Sequence, residues 1–187
     1  MKKLFLLFSL FLGTHSVWAH DVEVDGIFYN LIQESKLAYV TFEGKEYYSS
    51  ENEYKGDVVV PETFTLDGIT YTVKGVEKYS FRGCKELTSV KLPNSVLTIG
   101  AECFRDCSGL VSVKLSESIQ ELKSHTFSDC TSLTAIDIPH NVKTIENNCF
   151  RSCKALTSIT IPKSVTIIGS DCFWGCGALA SATILAP

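Results

Sequence analysis

Residues 103–107 read CFRDC, and near-copies follow as CFRSC at residues 149–153 and CFWGC at residues 172–176. Each copy holds two cysteines four positions apart, with a phenylalanine directly after the first. The first and second copies start 46 residues apart, and the second and third start 23 residues apart. Similar segments at multiples of one distance indicate an internal repeat, which has to be defined before any single motif is interpreted.

The 23-residue period runs without insertion over residues 73–187, and seven of its columns are apolar or cysteine in every copy. Two of these columns are predicted to be structural, filling the interior of the fold. One is the phenylalanine column, Phe81, Phe104, Phe127, Phe150 and Phe173. The other lies three positions later and is the cysteine column, Cys84, Cys107, Cys130, Cys153 and Cys176. The period divides the segment into five units, which are 73–95, 96–118, 119–141, 142–164 and 165–187.

A strict period with fixed apolar columns predicts a solenoid, because one short unit cannot bury its own apolar side and stacked units can. Residues 87–93 read LTSVKLP, in which Val90 and Leu92 alternate with Ser89 and Lys91, as in a short strand. Strands of successive units are expected to pair in parallel. The segment around each phenylalanine is expected to be a compact turn, a short helix or a 3₁₀ turn. The predicted fold class is therefore an α/β-type or mainly β repeat solenoid.

The repeat I-x-x-x-x-F-x-x-C-x-x-L-x-x-V-x-L-P resembles the BspA-type leucine-rich repeat of secreted and surface proteins, over residues 73–187. The resemblance implies a curved, right-handed stack that serves recognition and adhesion, and it implies no catalytic residue. One column departs from the family pattern, which usually has alanine before the phenylalanine. Here that column holds Ser80, Cys103, Thr126, Cys149 and Cys172.

The two segments before the repeats have different compositions. Residues 1–19 combine Lys2 and Lys3 with a nine-residue run, 4–12, that is apolar apart from Ser9, and end in Ala19, which predicts a secretory signal peptide and export. The run is too short to anchor the chain in a membrane. The remainder, 20–72, reads as short strands separated by turns and is predicted to be a small β-rich N-terminal cap. The destination after export stays open between secretion, the periplasm and the cell surface.

Charge and motif content exclude several classes of function. The signal segment holds two of the 17 basic residues and none of the 21 acidic ones, so cleavage leaves a net charge of about −6. An acidic chain without a basic stripe is a poor candidate for nucleic acid binding. No glycine-rich phosphate loop and no Ser-His-Asp or Cys-His set stands apart from the repeat. The sequence therefore predicts neither an enzyme nor a cofactor.

The cysteines admit several interpretations. Zinc sites usually use C-x-x-C or histidine pairs, and redox pairs use C-x-x-C, whereas this chain has C-x-x-x-C. Five cysteines in one column suit a ladder of small buried side chains. Serine and threonine share the second column, which indicates a limit on volume. Disulfides between vertical neighbours such as Cys107 and Cys130 remain the alternative to free buried thiols.

Binding is expected on the positions that the repeat leaves free. The outward strand column supplies the first group of candidates, Lys91, Lys114, Asp137 and Thr160. The column after each phenylalanine supplies the second group, Arg82, Arg105, Arg151 and Trp174. Diagonal ion pairs are predicted from Arg82 to Asp106 and from Arg105 to Asp129. Trp174 is either an exposed contact residue or a side chain folded over Phe173.

Two functions follow from these patterns. The first is an exported, non-catalytic scaffold that recognises an extracellular protein or glycan, in adhesion or host interaction. The alternative is a structural envelope or matrix component that self-associates, as a homodimer, through its fifth repeat. Unless Ile184 and Leu185 are covered locally, that repeat is expected to leave an apolar face and a strand edge open.

Overall fold

A computed structural model of the protein describes residues 20–42 and 54–185. The predicted signal peptide lies outside these residues. The described residues form fourteen strands and no helix, so the mainly β form of the predicted solenoid is the observed one. It follows that no helix in this part of the chain could cross a membrane.

The strands are short, and most recur with the repeat. They are β1 (Val22–Val24), β2 (Ile27–Ile32), β3 (Leu37–Val40), β4 (Gly56–Val59), β5 (Thr63–Leu66), β6 (Ile69–Val76), β7 (Leu87–Lys91), β8 (Thr98–Ile99), β9 (Ser112–Lys114), β10 (Glu121–Leu122), β11 (Thr144–Ile145), β12 (Ser158–Ile161), β13 (Ile167–Ile168) and β14 (Ser181–Ile184).

The strand predicted from LTSVKLP repeats as a parallel ladder along the solenoid. Strand β7 pairs in parallel with β9, and β12 pairs in parallel with β14, always between residues 23 positions apart. A single bridge from Asp137 to Thr160 links the third unit to the fourth. Val90 and Leu92 are buried, while Lys91 is exposed. The predicted parallel pairing and the inward and outward positions are thus confirmed.

A second parallel ladder uses the column five residues before each phenylalanine. Strand β6 pairs with β8, and β10 pairs with β11, which in turn pairs with β13. In four of the five units the inward residue of this column is buried, and these residues are Val76, Ile99, Leu122 and Ile145. Four of the five repeats therefore contribute two short strands to one shared core, and the third contributes β10 and the bridge at Asp137.

The segment around each phenylalanine is a turn, and the expected short helix or 3₁₀ turn is not assigned in any described unit. Left-handed residues interrupt it twice per repeat. Two positions before the phenylalanine, φ is between 55° and 67° at Tyr79, Glu102, His125, Asn148 and Asp171. Two positions after it, φ is between 57° and 75° at Gly83, Asp106, Asp129, Ser152 and Gly175. A left-handed residue cannot continue a right-handed helix, which explains the difference from the expectation.

These turns are hydrogen-bonded to one another across the repeats. The Phe104 amide donates to the Thr126 carbonyl at 2.9 Å, and the Phe127 amide donates to the Cys149 carbonyl at 2.8 Å. The Asp106 amide donates to the Ser128 carbonyl at 2.9 Å. Backbone groups that a helix would use internally therefore hold neighbouring units together.

The phenylalanine column forms a continuous stack in the centre of the solenoid. Successive rings from Phe81 to Phe173 have centroids 5.0–5.6 Å apart and planes within 8° of parallel. The first four rings are fully buried and Phe173 is half-buried. Tyr54, which precedes the repeats, packs against the first ring with its centroid 4.5 Å from that of Phe81 and its plane tilted by 46°.

The segment before the repeats is joined to them by strand pairing. Strands β1, β2 and β3 are antiparallel neighbours, and β3 then pairs in parallel with β6, which also pairs antiparallel with β5. Strand β4 pairs in parallel with β7 of the first repeat. The Tyr54 hydroxyl accepts from the Phe28 amide and donates to the Thr41 carbonyl. The role of this segment as a cap and the right hand of the stack stay predictions.

The fifth repeat is much more exposed than the four before it. Ile184 is 70% exposed, whereas Ile161, which is paired with it in the fourth repeat, is 2% exposed. Ile168 is 42% exposed, whereas Ile145 beside it is fully buried. Ile184 and Leu185 are therefore not covered locally by the described residues, in line with the open face expected from the sequence.

Candidate recognition surface

The outward side chains of the first ladder form one continuous surface, here called the sheet face. Its central row consists of Val59, Lys91, Lys114, Asp137, Thr160 and Thr183, all of them exposed. The neighbouring row consists of Asp57, Ser89, Ser112, Ala135, Ser158 and Ser181. Four of the sequence-predicted candidates, from Lys91 to Thr160, thus lie in one row.

Lys91 and Lys114 are directly opposite each other in the parallel ladder. Neither side chain has an ion pair within the described part of the chain. Strands in a sheet lie about 4.8 Å apart, so the two like-charged side chains leave the sheet as immediate neighbours. Like charges directly opposite each other destabilise a sheet. The pair therefore creates a local excess of positive charge on an otherwise acidic protein.

One end of the sheet face carries a carboxylate held by hydroxyl groups. Asp57 Oδ1 accepts hydrogen bonds from Ser89 Oγ at 2.6 Å and from Thr88 Oγ1 at 2.8 Å. The bond from Ser89 and then the bond from Thr88 lower the pKa of Asp57 below its usual value. These bonds fix the rotamers of two hydroxyl side chains beside Lys91, which gives this end of the surface a defined shape.

A shallow groove of about 390 Å³ adjoins the sheet face in the third and fourth repeats. Asp137 and Thr160 lie on one side of it, and Ile138, Pro139, Pro162 and Leu185 add apolar surface. Glu117 and His140 also line it, and neither was singled out from the sequence. Both occupy the column thirteen residues after the phenylalanine. The polar residues of this column, next to the strand end, were the sequence feature from which the groove lining could have been predicted.

The arginine column of the turns is largely engaged in ion pairs. Glu102 Oε2 lies 3.1 Å from Arg82 Nη1 and 3.0 Å from Arg105 Nη1. The predicted pair from Arg82 to Asp106 is present at 3.8 Å. The predicted pair from Arg105 to Asp129 is not formed, because Arg105 pairs with Asp106 of its own turn at 3.5 Å. Asp129 instead accepts a hydrogen bond from Ser128.

Arg151 and Trp174 form a different contact in the same column. The Arg151 guanidinium carbon lies 4.4 Å from the centroid of the Trp174 ring, within the range of a cation–π interaction. Trp174 is 58% exposed, so it lies on the surface with one partner and is not folded into the core. The period places the two residues in consecutive positions of one column, and this neighbourhood was the signal available in the sequence, although the contact itself was not predicted. Of the second candidate group, this pair is the part that is available to a ligand.

The cysteine column is a ladder of thiols that all point in one direction. The thiols of Cys107, Cys130, Cys153 and Cys176 donate to the carbonyl of the phenylalanine 26 residues earlier, at 2.8–3.1 Å. All eight cysteines are unbridged in the structure. The described residues contain no cluster of three or more histidine, cysteine or acidic side chains that could hold a metal ion.

The fold and these surfaces define a leucine-rich-repeat solenoid. The chain belongs to the family described as the BspA type leucine rich repeat region, which matches residues 69–186 with six copies. A leucine rich repeat protein from T. pallidum is 31% identical with a TM-score of 0.70, over 86% of this chain and 70% of that protein. No curated protein matches the chain.

Two longer structures are also similar. A leucine-rich repeat protein from Bacteroides ovatus has a TM-score of 0.78 and 29% identity over 88% of this chain. A protein from Faecalibacterium prausnitzii that is described as a leucine rich cell surface protein has a TM-score of 0.74 and 28% identity, also over 88% of this chain. The chain spans only 41% and 39% of the lengths of these two proteins.

Proposed function

We propose that this protein is an exported, non-catalytic scaffold whose sheet face recognises an extracellular protein or glycan, in adhesion or host interaction. The observation that carries the proposal is the pair of exposed, in-register lysines, Lys91 and Lys114, which lack an ion pair among the described residues. A partner with acidic groups would relieve their repulsion on binding. The bound state would therefore gain an interaction that the free protein lacks.

The surroundings of the lysines support recognition by an extended surface. The sheet face is mostly polar, and the groove beside Asp137 and Thr160 combines apolar lining with hydrogen-bonding side chains. The Arg151–Trp174 pair supplies two residue types that are enriched in binding hot spots. Family membership and the similarity to a protein described as a cell surface protein support an extracellular setting. The composition of residues 1–19 supports export.

The test is a binding screen with the chain as secreted by an expression host. Matrix proteins, mucins and glycan arrays are the probes, and mass spectrometry of the product also tests cleavage after Ala19. A variant with Lys91→Glu, Lys114→Glu and Asp137→Lys reverses the charges of the sheet face. A control with Lys85→Glu, Lys154→Glu and Glu62→Lys makes the same change in net charge at other exposed positions.

Saturable binding that the sheet-face variant loses and the control keeps supports the proposal. The affinity of the unmodified protein is also expected to fall with added salt, because the lysines are exposed. Binding that both variants retain moves recognition away from the sheet face. Thermal unfolding of each variant shows that the comparison is made between folded proteins.

Self-association through the fifth repeat is a second candidate, favoured by the exposure of Ile168 and Ile184. Pairing of β14 with its counterpart in a second copy would cover both the strand edge and these side chains. Sedimentation velocity over a hundredfold range of concentration tests this candidate. A mass that rises in the unmodified protein and not in Ile184→Lys supports a dimer, and a monomer at all concentrations excludes it.

A further inference from the structure

One thiol in the cysteine ladder differs from the others in its exposure. Cys107, Cys130 and Cys153 are fully buried, whereas Cys176 is half-buried in the fifth repeat. Within the described residues the fifth repeat is strand-paired with the fourth repeat only. Cys176 is therefore the cysteine of this column that a small reagent approaches most easily.

Cys153 and Cys176 are also vertical neighbours in the ladder, and their thiols donate to the carbonyls of two successive phenylalanines of the stack. The Cys153 thiol has a single proton, which it can donate either to the Phe127 carbonyl at 3.1 Å or to the Cys176 sulfur. The second of these bonds lowers the pKa of Cys176 to about 7, against the opposing effect of partial burial. The same contact, followed by burial, raises the pKa of Cys153. Burial likewise raises the pKa values of Cys107 and Cys130.

We propose that Cys176 is a site of thiol–disulfide exchange with small-molecule disulfides, and that Cys153 resolves the product to a disulfide between the fourth and fifth repeats. The Cys176 thiolate attacks one sulfur of the reagent, forms a mixed disulfide and releases one thiolate. Cys153 then rotates towards Cys176, loses its proton to solvent and attacks the Cys176 sulfur, which releases the second reagent thiolate; both reagent thiolates take up protons from solvent. Two protein thiols are oxidised, and one disulfide is reduced to two thiols.

The geometry of the stack allows this bond between vertical neighbours. A disulfide requires Cα atoms about 4.4–6.8 Å apart. Phe150 and Phe173, each three residues before one of the two cysteines, have ring centroids 5.6 Å apart, which gives the local spacing of the units. The parallel thiols have to rotate towards each other. The fifth repeat can adjust for this, because its apolar columns are only partly packed.

The other cysteine pairs lack one of these conditions. Cys107 and Cys130 have the same vertical spacing, but both are fully buried and closed to a reagent. Cys149 and Cys172 are vertical neighbours in the second column, where Cys172 is 3% exposed and its thiol donates to the Glu146 carbonyl at 3.0 Å. The reaction is therefore assigned to a single pair out of the eight cysteines.

The test is to treat the reduced, purified protein with glutathione disulfide near neutral pH. The reaction is quenched with acid at intervals, free thiols are alkylated, and the products are mapped by peptide mass spectrometry. The unmodified protein is expected to glutathionylate Cys176 first, at least about ten times faster than Cys130. A Cys153–Cys176 linkage is then expected to replace the adduct.

Two variants separate the two steps. Cys153→Ser is expected to accumulate the glutathione adduct on Cys176 without resolution, and Cys176→Ser is expected to remove the fast reaction. Cys130→Ser is the matched control from the same column and is expected to react like the unmodified protein. The rate of Cys176 alkylation is expected to rise with pH around a midpoint near 7.

The mapping of the unmodified protein is decisive even if a variant fails to fold. Slow and uniform modification of all eight cysteines would overturn the proposal. So would a first linkage at Cys149 and Cys172, or at any pair that excludes Cys176. None of these outcomes depends on which ligand the sheet face binds.

Discussion

The rings of Phe104 and Phe127 lie 5.3 Å apart between centroids and within 2° of parallel, and both side chains are fully buried. Each is one member of a stack that passes through all five repeats. A ring in the middle of the stack contacts a neighbour on both sides, and the ring of the fifth repeat has only one neighbour among the described residues. Position in the stack should therefore set the energetic cost of removing a ring.

Replacing the central ring is expected to be far more damaging than replacing the last one. Phe127→Ala should lower the free energy of unfolding by about 3–5 kcal/mol, because it removes apolar surface and leaves a cavity between two rings. Phe173→Ala should cost only about 1–2 kcal/mol, because that ring is half-buried. Urea denaturation followed by circular dichroism measures both values. Equal costs would show that the stack is not the source of the stability.

Left-handed turn positions give a second test of the repeat architecture. Gly83 has φ of 69°, so Gly83→Ala should destabilise the protein by about 1 kcal/mol through backbone strain. Gly177 has ordinary backbone geometry, and a Cβ there would meet nothing within 4 Å. Gly177→Ala is the matched control and should be neutral or stabilising by up to about 1 kcal/mol. Thermal denaturation of both variants makes the comparison, and a neutral Gly83→Ala would contradict it.

The stability of the second ladder should depend on acid through Glu146. Glu146 Oε2 accepts from the Ser124 amide at 2.9 Å and from the Ser124 hydroxyl at 2.8 Å, and Oε1 lies 3.3 Å from Lys123 Nζ. Partial burial would raise the pKa of Glu146. The bonds from Ser124 and Lys123 outweigh burial and lower the pKa below the usual 4.5.

The direction of the pH effect follows from that lowered pKa. The unfolded chain binds the proton more readily, so the contribution of Glu146 is present above pH 4.5 and is lost as the pH falls through the lower folded-state value. Glu146→Gln should therefore be less stable than the unmodified protein at neutral pH, by up to about 1 kcal/mol for a partly exposed group. The difference should narrow below pH 4.5. Urea titrations at several pH values measure it, and a difference independent of pH, or one shared by the exposed control Glu62→Gln, contradicts the prediction.

The sequence was sufficient for every feature that depends on the period. A residue such as Val90 must lie beside Val113 when identical units stack without insertion, so pairing, burial and the outward position of Lys91 all follow. Two features do not follow from the period. The parallel pairing of β3 with β6 joins segments that share no repeat, and the left-handed turns depend on backbone angles at residues as different as Tyr79 and Asn148.

The ion pairs between neighbouring repeats in the candidate site could also not be predicted from the period alone. Column arithmetic places Arg105 one unit before Asp129, but the left-handed turn at Asp106 brings its own carboxylate to 3.5 Å from Arg105. Glu102, which lies in the same turn as Arg105, forms ion pairs with both Arg82 and Arg105. The column pattern identifies which residues are neighbours, and the local backbone decides which of them form a pair.

The ion pairs around Glu102 lead to a prediction about salt. Arg82, Arg105, Glu102 and Asp106 form a network with no net charge, in which Glu102 Oε2 contacts both arginines. Glu102→Gln leaves two neighbouring cations with one carboxylate, so it should cost about 1 kcal/mol at low ionic strength. Glu86→Gln, which breaks only the exposed pair with Lys55, is the control and should stay within about 0.5 kcal/mol.

Screening distinguishes this network from simple side-chain packing. At about 1 M salt the Debye length falls to about 3 Å, comparable to the contact distances, so both the attraction in the unmodified protein and the repulsion in Glu102→Gln are weakened. The stability difference between the two proteins should therefore shrink as salt is added. Denaturation by urea at low and high sodium chloride measures it, because urea is uncharged. A difference that stays constant with salt would show that Glu102 acts through hydrogen-bond geometry and packing, and that charge neutralisation in the arginine column contributes little.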